Sequence, residues 1–201
     1  MARTQAADYK QRRERIVDVA AELFAERGFM GASIADLADA CRTSKSLVYH
    51  YYAAKEDILF DVMHSHVKAL LDAAEQIAAK PLAPEEKLRE LTRAFMQLYL
   101  GAATRQRVLL NELDNLPKAQ RRIIVDIQHR LIAIVEKILT EVRPALSGRH
   151  VLRTPAAMLY FGMINWMHTW LRPDGRAKPA RIAELAVNIF LDGFAKAEIP
   201  G

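Results

Sequence analysis

The chain has 201 residues, 51% of them hydrophobic and 26% charged, so it is long enough to bury a core and too apolar to be a disordered chain. Its net charge of +5 and pI near 9.4 suit a polyanionic partner without requiring one. A single cysteine, Cys41, excludes an intramolecular disulfide and a multi-cysteine zinc site, and fits a reducing cytoplasm, the location expected here.

Apolar residues recur at helical spacing almost throughout, which predicts an all-α protein of about nine helices. Residues 1–9 read as a basic arm that can lie against phosphates, and MARTQAADYKQRRER has no apolar core of the kind a signal peptide needs. A first helix is predicted from about Asp8 to Arg27, burying Ile16, Val19, Ala20, Leu23 and Phe24, with Gly28 stopping it and Phe29 packing back. Ser33 is a good N-cap for a second helix with Asp36 closing a capping box, and Ile34, Leu37, Ala38 and Cys41 form its buried stripe. Arg42-Thr43-Ser44 then makes a turn, and Ser44 caps a short third helix ending near Tyr52.

That run, Ser33 to Leu59, has the grammar of a helix-turn-helix DNA reader, with the motif at about 34–52. Leu47, Val48 and Tyr51 are expected to face the hydrophobic base, and Tyr52 the core. Lys45, Ser46, Tyr49 and His50 are left outward, where small and hydrogen-bonding side chains suit a major groove. Lys55 opens the fourth helix, where a cation is unfavourable with the helix dipole unless an anion such as phosphate is near. The stripe Ile58, Leu59, Val62, Met63, His66, Val67, Leu70, Leu71, Ala74 and Ile77 carries that helix on to about Lys80.

Further helices are predicted over Glu85 to Ala103, Gln106 to Asn115, Lys118 to Arg143 (with Ile123 on its stripe), Pro155 to Leu171 and Pro179 to Lys196. Met158 to Leu171 is apolar nearly all round but carries Asn165 and His168 and is too short to cross a bilayer, so no membrane role is expected. Arg172-Pro173-Asp174-Gly175 reads as a turn. The helices at 155–171 and 179–196, with Gly162 and Gly193 permitting close approach, are read as a homodimer interface forming a four-helix bundle; the plain alternative is that they complete a monomeric core.

Ile16, Ala20, Leu23-Phe24, Gly28-Phe29, Ser33-Ile34, Asp36-Leu37-Ala38, Ala40, Ser44-Lys45, Val48-Tyr49, Tyr52, Lys55-Glu56 and Ile58-Leu59 resemble the tetracycline-repressor (TetR) family of bacterial regulators over about residues 9–60. The resemblance implies a DNA-binding head at 9–55 and a ligand-binding and dimerisation body at 56–198. It implies a transcriptional regulator, a repressor that binds a near-palindromic double-stranded operator as a dimer and is released by a small-molecule inducer. It places Ser33 and Lys55 at phosphates, Lys45 and Ser46 on the recognition helix, and Tyr49 and His50 facing DNA; Arg42, Thr43 and Ser44 are the turn residues beside it. The sequence departs from the family at Cys41-Arg42-Thr43-Ser44, where Ala-Gly-Val-Ser is usual, and at Lys45-Ser46, where Lys-Gly is common. Without a turn glycine, either Arg42 tolerates that backbone or the turn differs.

In such a fold the ligand lies among the central helices of the body. The lining residues expected are Met63, His66, Phe95, Tyr99, Leu113, Ile127, Leu131, Tyr160, Met163 and Trp166. They suit a hydrophobic inducer, an aromatic or acyl-chain compound, with a coenzyme A thioester as one form whose phosphates meet Arg105, Arg107, Arg121 and Arg122. No enzymatic activity and no cofactor are expected. Two rival readings are a helical metalloenzyme built on Asp61-x-x-His64 and Asp126-x-x-His129, and a helical interaction protein with no DNA role.

Overall fold

The computed structural model describes residues 2–171 and 175–196; the turn expected at Arg172-Pro173-Asp174 lies outside them. Among the described residues there are nine α-helices and no strand, the all-α class the periodicity predicts. They are α1 (Ala2–Gly31), α2 (Ile34–Ala40), α3 (Lys45–Tyr51), α4 (Lys55–Ala78), α5 (Pro84–Gly101), α6 (Ala103–Asn111), α7 (Lys118–Val142), α8 (His150–Asn165) and α9 (Pro179–Lys196). Short 3-10 turns occupy Leu113–Asn115, Pro144–Leu146 and Trp166–Thr169. No helix among the described residues is long and apolar enough to cross a membrane.

The chain divides into two compact units, Met1–Val67 with Thr104–Val125, and Lys68–Ala103 with Asp126–Gly201. In the first, α1 begins at Ala2, so residues 2–9 are helical and not an arm. The reason is local: no Gly or Pro interrupts the run before Gly28, and Asp8–Arg12 at 3.1 Å and Lys10–Glu14 at 4.0 Å brace it at i,i+4. Gly28 leaves helical geometry at φ 72°, and Phe29 turns back so that its ring meets Phe24 edge-on at 5.4 Å. The buried face of α1 is wider than the simple rhythm predicts: Val17 and Ala21 join Ile16, Ala20, Leu23 and Phe24, while Val19 is only half-buried.

The α2 capping box forms as expected. The Asp36 amide donates to Ser33 Oγ at 3.1 Å, and the Ser33 amide donates to Asp36 Oδ2 at 2.8 Å. These bonds satisfy donors that a helix start leaves orphaned, and Asp36 is held below the usual carboxylate range chiefly by its bonds to Ser33. Leu37, Ala38, Cys41, Val48, Tyr52, Ile58 and Leu59 then close the core with α1 residues. Burial pushes the Cys41 thiol pKa up, against the opposing influence of Arg15, which fits a core residue and not a reactive thiol.

In the second unit, α5 packs against α8 and α9. Leu88, Leu91, Phe95 and Met96 of α5 are buried with Ala157, Tyr160, Phe161 and Ile164 of α8 and Ala183, Val187 and Leu191 of α9. Thr92 and Tyr160 share a buried hydrogen bond of 2.8 Å. Arg89 and Arg93 both reach Glu184 on α9, at 3.0 and 2.8 Å. Helix α8 starts at His150, ahead of the Pro155 expected to open it. Proline there removes a donor to the Val151 carbonyl, and Val151 is exposed, so water can satisfy that oxygen. The last turn of the segment, Trp166–Thr169, tightens to 3-10 geometry. Ile123 of α7 is exposed, contrary to its place on the predicted stripe; the buried isoleucines are Ile124, Ile127 and Ile138.

Candidate nucleic-acid interface

The interface is built on α3. Ser44 caps it, accepting the Leu47 amide at 3.1 Å, so a seven-residue helix starts at a fixed point. Val48 and Tyr52 anchor it in the core. The Tyr52 hydroxyl donates to Asp61 of α4 at 2.7 Å, and Arg13 of α1 reaches the same carboxylate oxygen at 2.5 Å while lying 5.5 Å from the Tyr52 ring centre. One carboxylate thus ties α1, the end of α3 and α4 together. Burial, followed by Asp61, raises the Tyr52 phenol well above its ordinary value, so the hydroxyl stays protonated as a donor.

With that side anchored, Lys45, Ser46, Tyr49 and His50 project outward; Tyr49 is 54% exposed. The structure therefore places those four residues together on one exposed face, with Arg42, Ser44 and half-buried Thr43 at its start. Tyr9 of α1, which carries no signal in the sequence, lies beside the same helix, its ring 4.7 Å from Tyr51 and 6.4 Å from His50.

Two residues do more inside the fold than the sequence suggests. Ser33 is exposed, but its hydroxyl is engaged by Asp36 at 2.5 Å. Lys55 donates to the carbonyls of Phe29 and Ala32 at 2.7 and 2.8 Å, with its ammonium 4.1 Å from the Phe29 ring centre. Those carbonyls and the ring supply the negative partners that a lysine at a helix start needs, so two of its three N–H donors are already taken.

The turn forms without a glycine. Arg42 takes φ 55°, the one non-glycine residue with positive φ among those described. Its neighbours lock it: the Arg42 amide donates to Asp39 at 2.9 Å and the Thr43 amide to Ala38 at 2.9 Å. The left-handed region costs a side-chain-bearing residue about 1–2 kcal/mol, a strain the packed α2 and α3 on either side over-determine.

The expected ligand-lining residues divide between the two units. Phe95, Tyr99 and Tyr160 belong to the aromatic cluster of the second unit, with Phe95 6.1 Å from both Tyr99 and Phe161. Ile127 and Leu131 are buried in that unit and Met163 is half-buried. Met63, His66 and Leu113 lie in the first unit, where Met63 and His66 are buried and His66 Nε2 is 2.7 Å from Gln106 Oε1. Burial lowers the His66 pKa, opposed by the Gln106 bond. Trp166, the first residue of the 3-10 turn after α8, is 67% exposed and lines no interior. The arginines expected at a ligand's phosphates have protein partners: Arg105 pairs with Asp18 at 2.5 Å and Arg121 with Asp114 at 3.1 Å. Asp61 is committed to Tyr52 and Arg13, and His64 stacks on Phe60 at 5.1 Å, so this half of the paired Asp-x-x-His pattern is occupied by structural contacts.

Comparison with known proteins places these features. Residues 16–62 match the family described as bacterial regulatory proteins, tetR family, and residues 81–194 match the tetracyclin repressor-like C-terminal domain. A TetR-family transcriptional regulator from Bordetella parapertussis superposes with a TM-score of 0.87 at 37% identity, covering 94% of this chain and 98% of that one. AibR, solved with isovaleryl coenzyme A and operator DNA, superposes at 0.76 with 26% identity, over 89% and 97%. The transcriptional regulator HbdR of Aromatoleum is 26% identical over 80% of this chain and 69% of its own.

Proposed function

Because the chain belongs to the tetR family of bacterial regulatory proteins, a ligand-responsive DNA-binding group, we propose that it acts as a dimeric repressor whose α3 reads a near-palindromic operator and which an acyl thioester releases. The observation that carries the reading is the outward face of α3, where Lys45, Ser46, Tyr49 and His50 stand exposed on a helix capped by Ser44 and anchored by Val48 and Tyr52. A helix with side chains is about 10–12 Å across, and a major groove is about 12 Å wide, so the fit leaves base edges to the outward face and phosphates to the flanks.

The dimer is supported by the outer surface of α8, the 3-10 turn after it and α9. Leu159, Trp166, Leu185 and Ile189 are all more than half exposed, and a Cβ added to Gly162 or Gly193 meets nothing within 4 Å. Covering each such large side chain is worth about 1.5–3 kcal/mol, which favours a second copy of the same helices over solvent. Two recognition helices would then enter successive major grooves about 34–36 Å apart or at a multiple-turn spacing.

For the inducer, the support is the Phe95, Tyr99 and Tyr160 cluster with Ile127 and Leu131, together with the chain's likeness to a regulator solved with isovaleryl coenzyme A. Ligand binding favours the state that does not bind DNA, and α4, which runs from the first unit into the second, carries the change to Lys55. The test is a gel-shift titration on the DNA flanking the protein's own gene, repeated with isovaleryl coenzyme A. Saturable binding that the thioester reverses is the expected result. Binding that the thioester leaves intact would remove the proposed inducer, and no preference for the flanking DNA over unrelated duplex would remove the operator reading.

A further inference from the structure

Beside the outward face of α3 lies a cleft of about 400 Å³ lined by Asp8, Arg12 and Arg15 of α1, Arg42 and Thr43 of the turn, and Tyr51 of α3, among others. We propose that this cleft holds a phosphodiester of the DNA backbone, clamped by Arg12, Arg15 and Arg42, and so makes α1 part of the DNA-reading surface. The proposal rests on the operator reading above and adds to it a site on a helix that the reading does not use.

Position comes first. Thr43 of the turn and Leu47 and Tyr51 of α3, spaced by four, line the cleft along one flank of the motif, whereas Lys45, Ser46, Tyr49 and His50 do not line it. A helix that fills a major groove puts its flanks against the groove walls, and those walls are phosphates. Charge comes second. Three arginines line the cleft against one carboxylate, Asp8, which is paired with Arg12 at 3.1 Å. Arg12, Arg15 and Arg42 are exposed, so an incoming phosphate meets them without unpacking the core. Guanidinium forks suit phosphate oxygens, and Asp8 holds Arg12 in place until a phosphate displaces it. Third, Arg42 sits at φ 55°, where glycine would be unstrained. A charged side chain at a position that favours glycine is accounted for by what its guanidinium does in the cleft.

The test is the salt dependence of duplex binding by the full-length protein, followed by fluorescence anisotropy. Each phosphate neutralised contributes about 0.9 to the slope of log K against log salt, so one cleft per subunit contributes roughly 2 per dimer. Between 50 and 200 mM salt the wild type should therefore lose about twelvefold more affinity than the variant Arg12→Gln/Arg15→Gln/Arg42→Gln. Asp8→Asn should tighten binding to operator and to unrelated duplex alike, and Lys137→Gln, on α7, should leave the slope unchanged. An unchanged slope in the triple variant, with Tyr49→Ala still weakening operator binding, overturns the cleft and leaves the operator reading standing. A wild type that binds no duplex overturns both. Circular dichroism of the triple variant separates lost binding from lost fold: a folded variant with the wild-type slope contradicts the clamp, and Arg42→Gly alone, which relieves strain, should still lower the slope.

Discussion

Two exposed surfaces of this protein break the usual rule for surfaces in opposite ways. The face of α3 is polar, aromatic and cationic, with Tyr49 half exposed beside Lys45, Ser46 and His50. The outer face of α8, the 3-10 turn after it and α9 is apolar, with Leu159, Trp166, Leu185 and Ile189 exposed to water. The first is a short helix held rigid by a Ser44 cap and the Tyr52–Asp61–Arg13 network, which suits precise contact with a hydrated, charged partner. The second needs no such positioning, because apolar burial is non-directional and is satisfied by any complementary apolar face. One surface selects by geometry and the other by removal from water, and substitutions should separate them.

The largest effect should come from the apolar face. Leu159→Glu with Ile189→Glu places charge where a second copy would pack, and sedimentation should show a monomer. Because paired heads gain about a hundredfold or more from effective concentration, operator affinity should fall by at least that much even though α3 is untouched. A dimer that survives the double substitution would break the comparison. The polar face comes next. Tyr49→Ala should weaken operator binding by about 1–3 kcal/mol, roughly five- to 160-fold, while dimer content and unfolding temperature stay unchanged. If operator affinity holds, α3 is not the reading helix.

Smaller still is the strain in the turn between α2 and α3. Arg42→Gly should raise the unfolding free energy by about 1 kcal/mol, read from denaturant titration, because glycine reaches φ 55° freely. A destabilised variant would mean that the guanidinium contributes more to the folded chain than the backbone loses. The smallest effect is on pH. His66 is buried, and its folded pKa is lowered below the ordinary 6.5. Above about 6.5 the histidine is neutral in both states and its contribution is whole; as pH falls below 6.5 the unfolded chain takes the proton first and stability declines. His66→Gln should flatten that acid limb, and an identical limb in both proteins would assign it to other groups.

What was legible in the sequence was mostly local. The caps at Ser33 and Ser44, the stop at Gly28 and the outward set on α3 depend on neighbours three or four residues away, and each stands where the spacing predicts. Lys55 was harder, because its partners, the carbonyls of Phe29 and Ala32, lie more than twenty residues upstream and no helix rule sees them. Trp166 is hard to place for a different reason: a segment apolar on every side does not say which side faces inward, and in the fold Trp166 stands 67% exposed. Residues 2–9 look like an arm only if helices require a buried face; here good helix formers and the i,i+4 pairs Asp8–Arg12 and Lys10–Glu14 carry α1 ahead of the buried stripe that starts at Ile16. The arginine cleft had a signal, since Asp8, Gln11, Arg12 and Arg15 form one stripe of a helix, but such stripes are usually solvated, and only the fold brings Arg42 to them.

The most direct measurement is a footprint of the wild-type protein on the DNA flanking its own gene, run beside Tyr49→Ala. Two protected half-sites related by a dyad, centred one helical turn or a multiple of it apart and lost in Tyr49→Ala, are the predicted result. Protection that is unbroken, without symmetry and equal in the two proteins would contradict a dimeric reader built on α3.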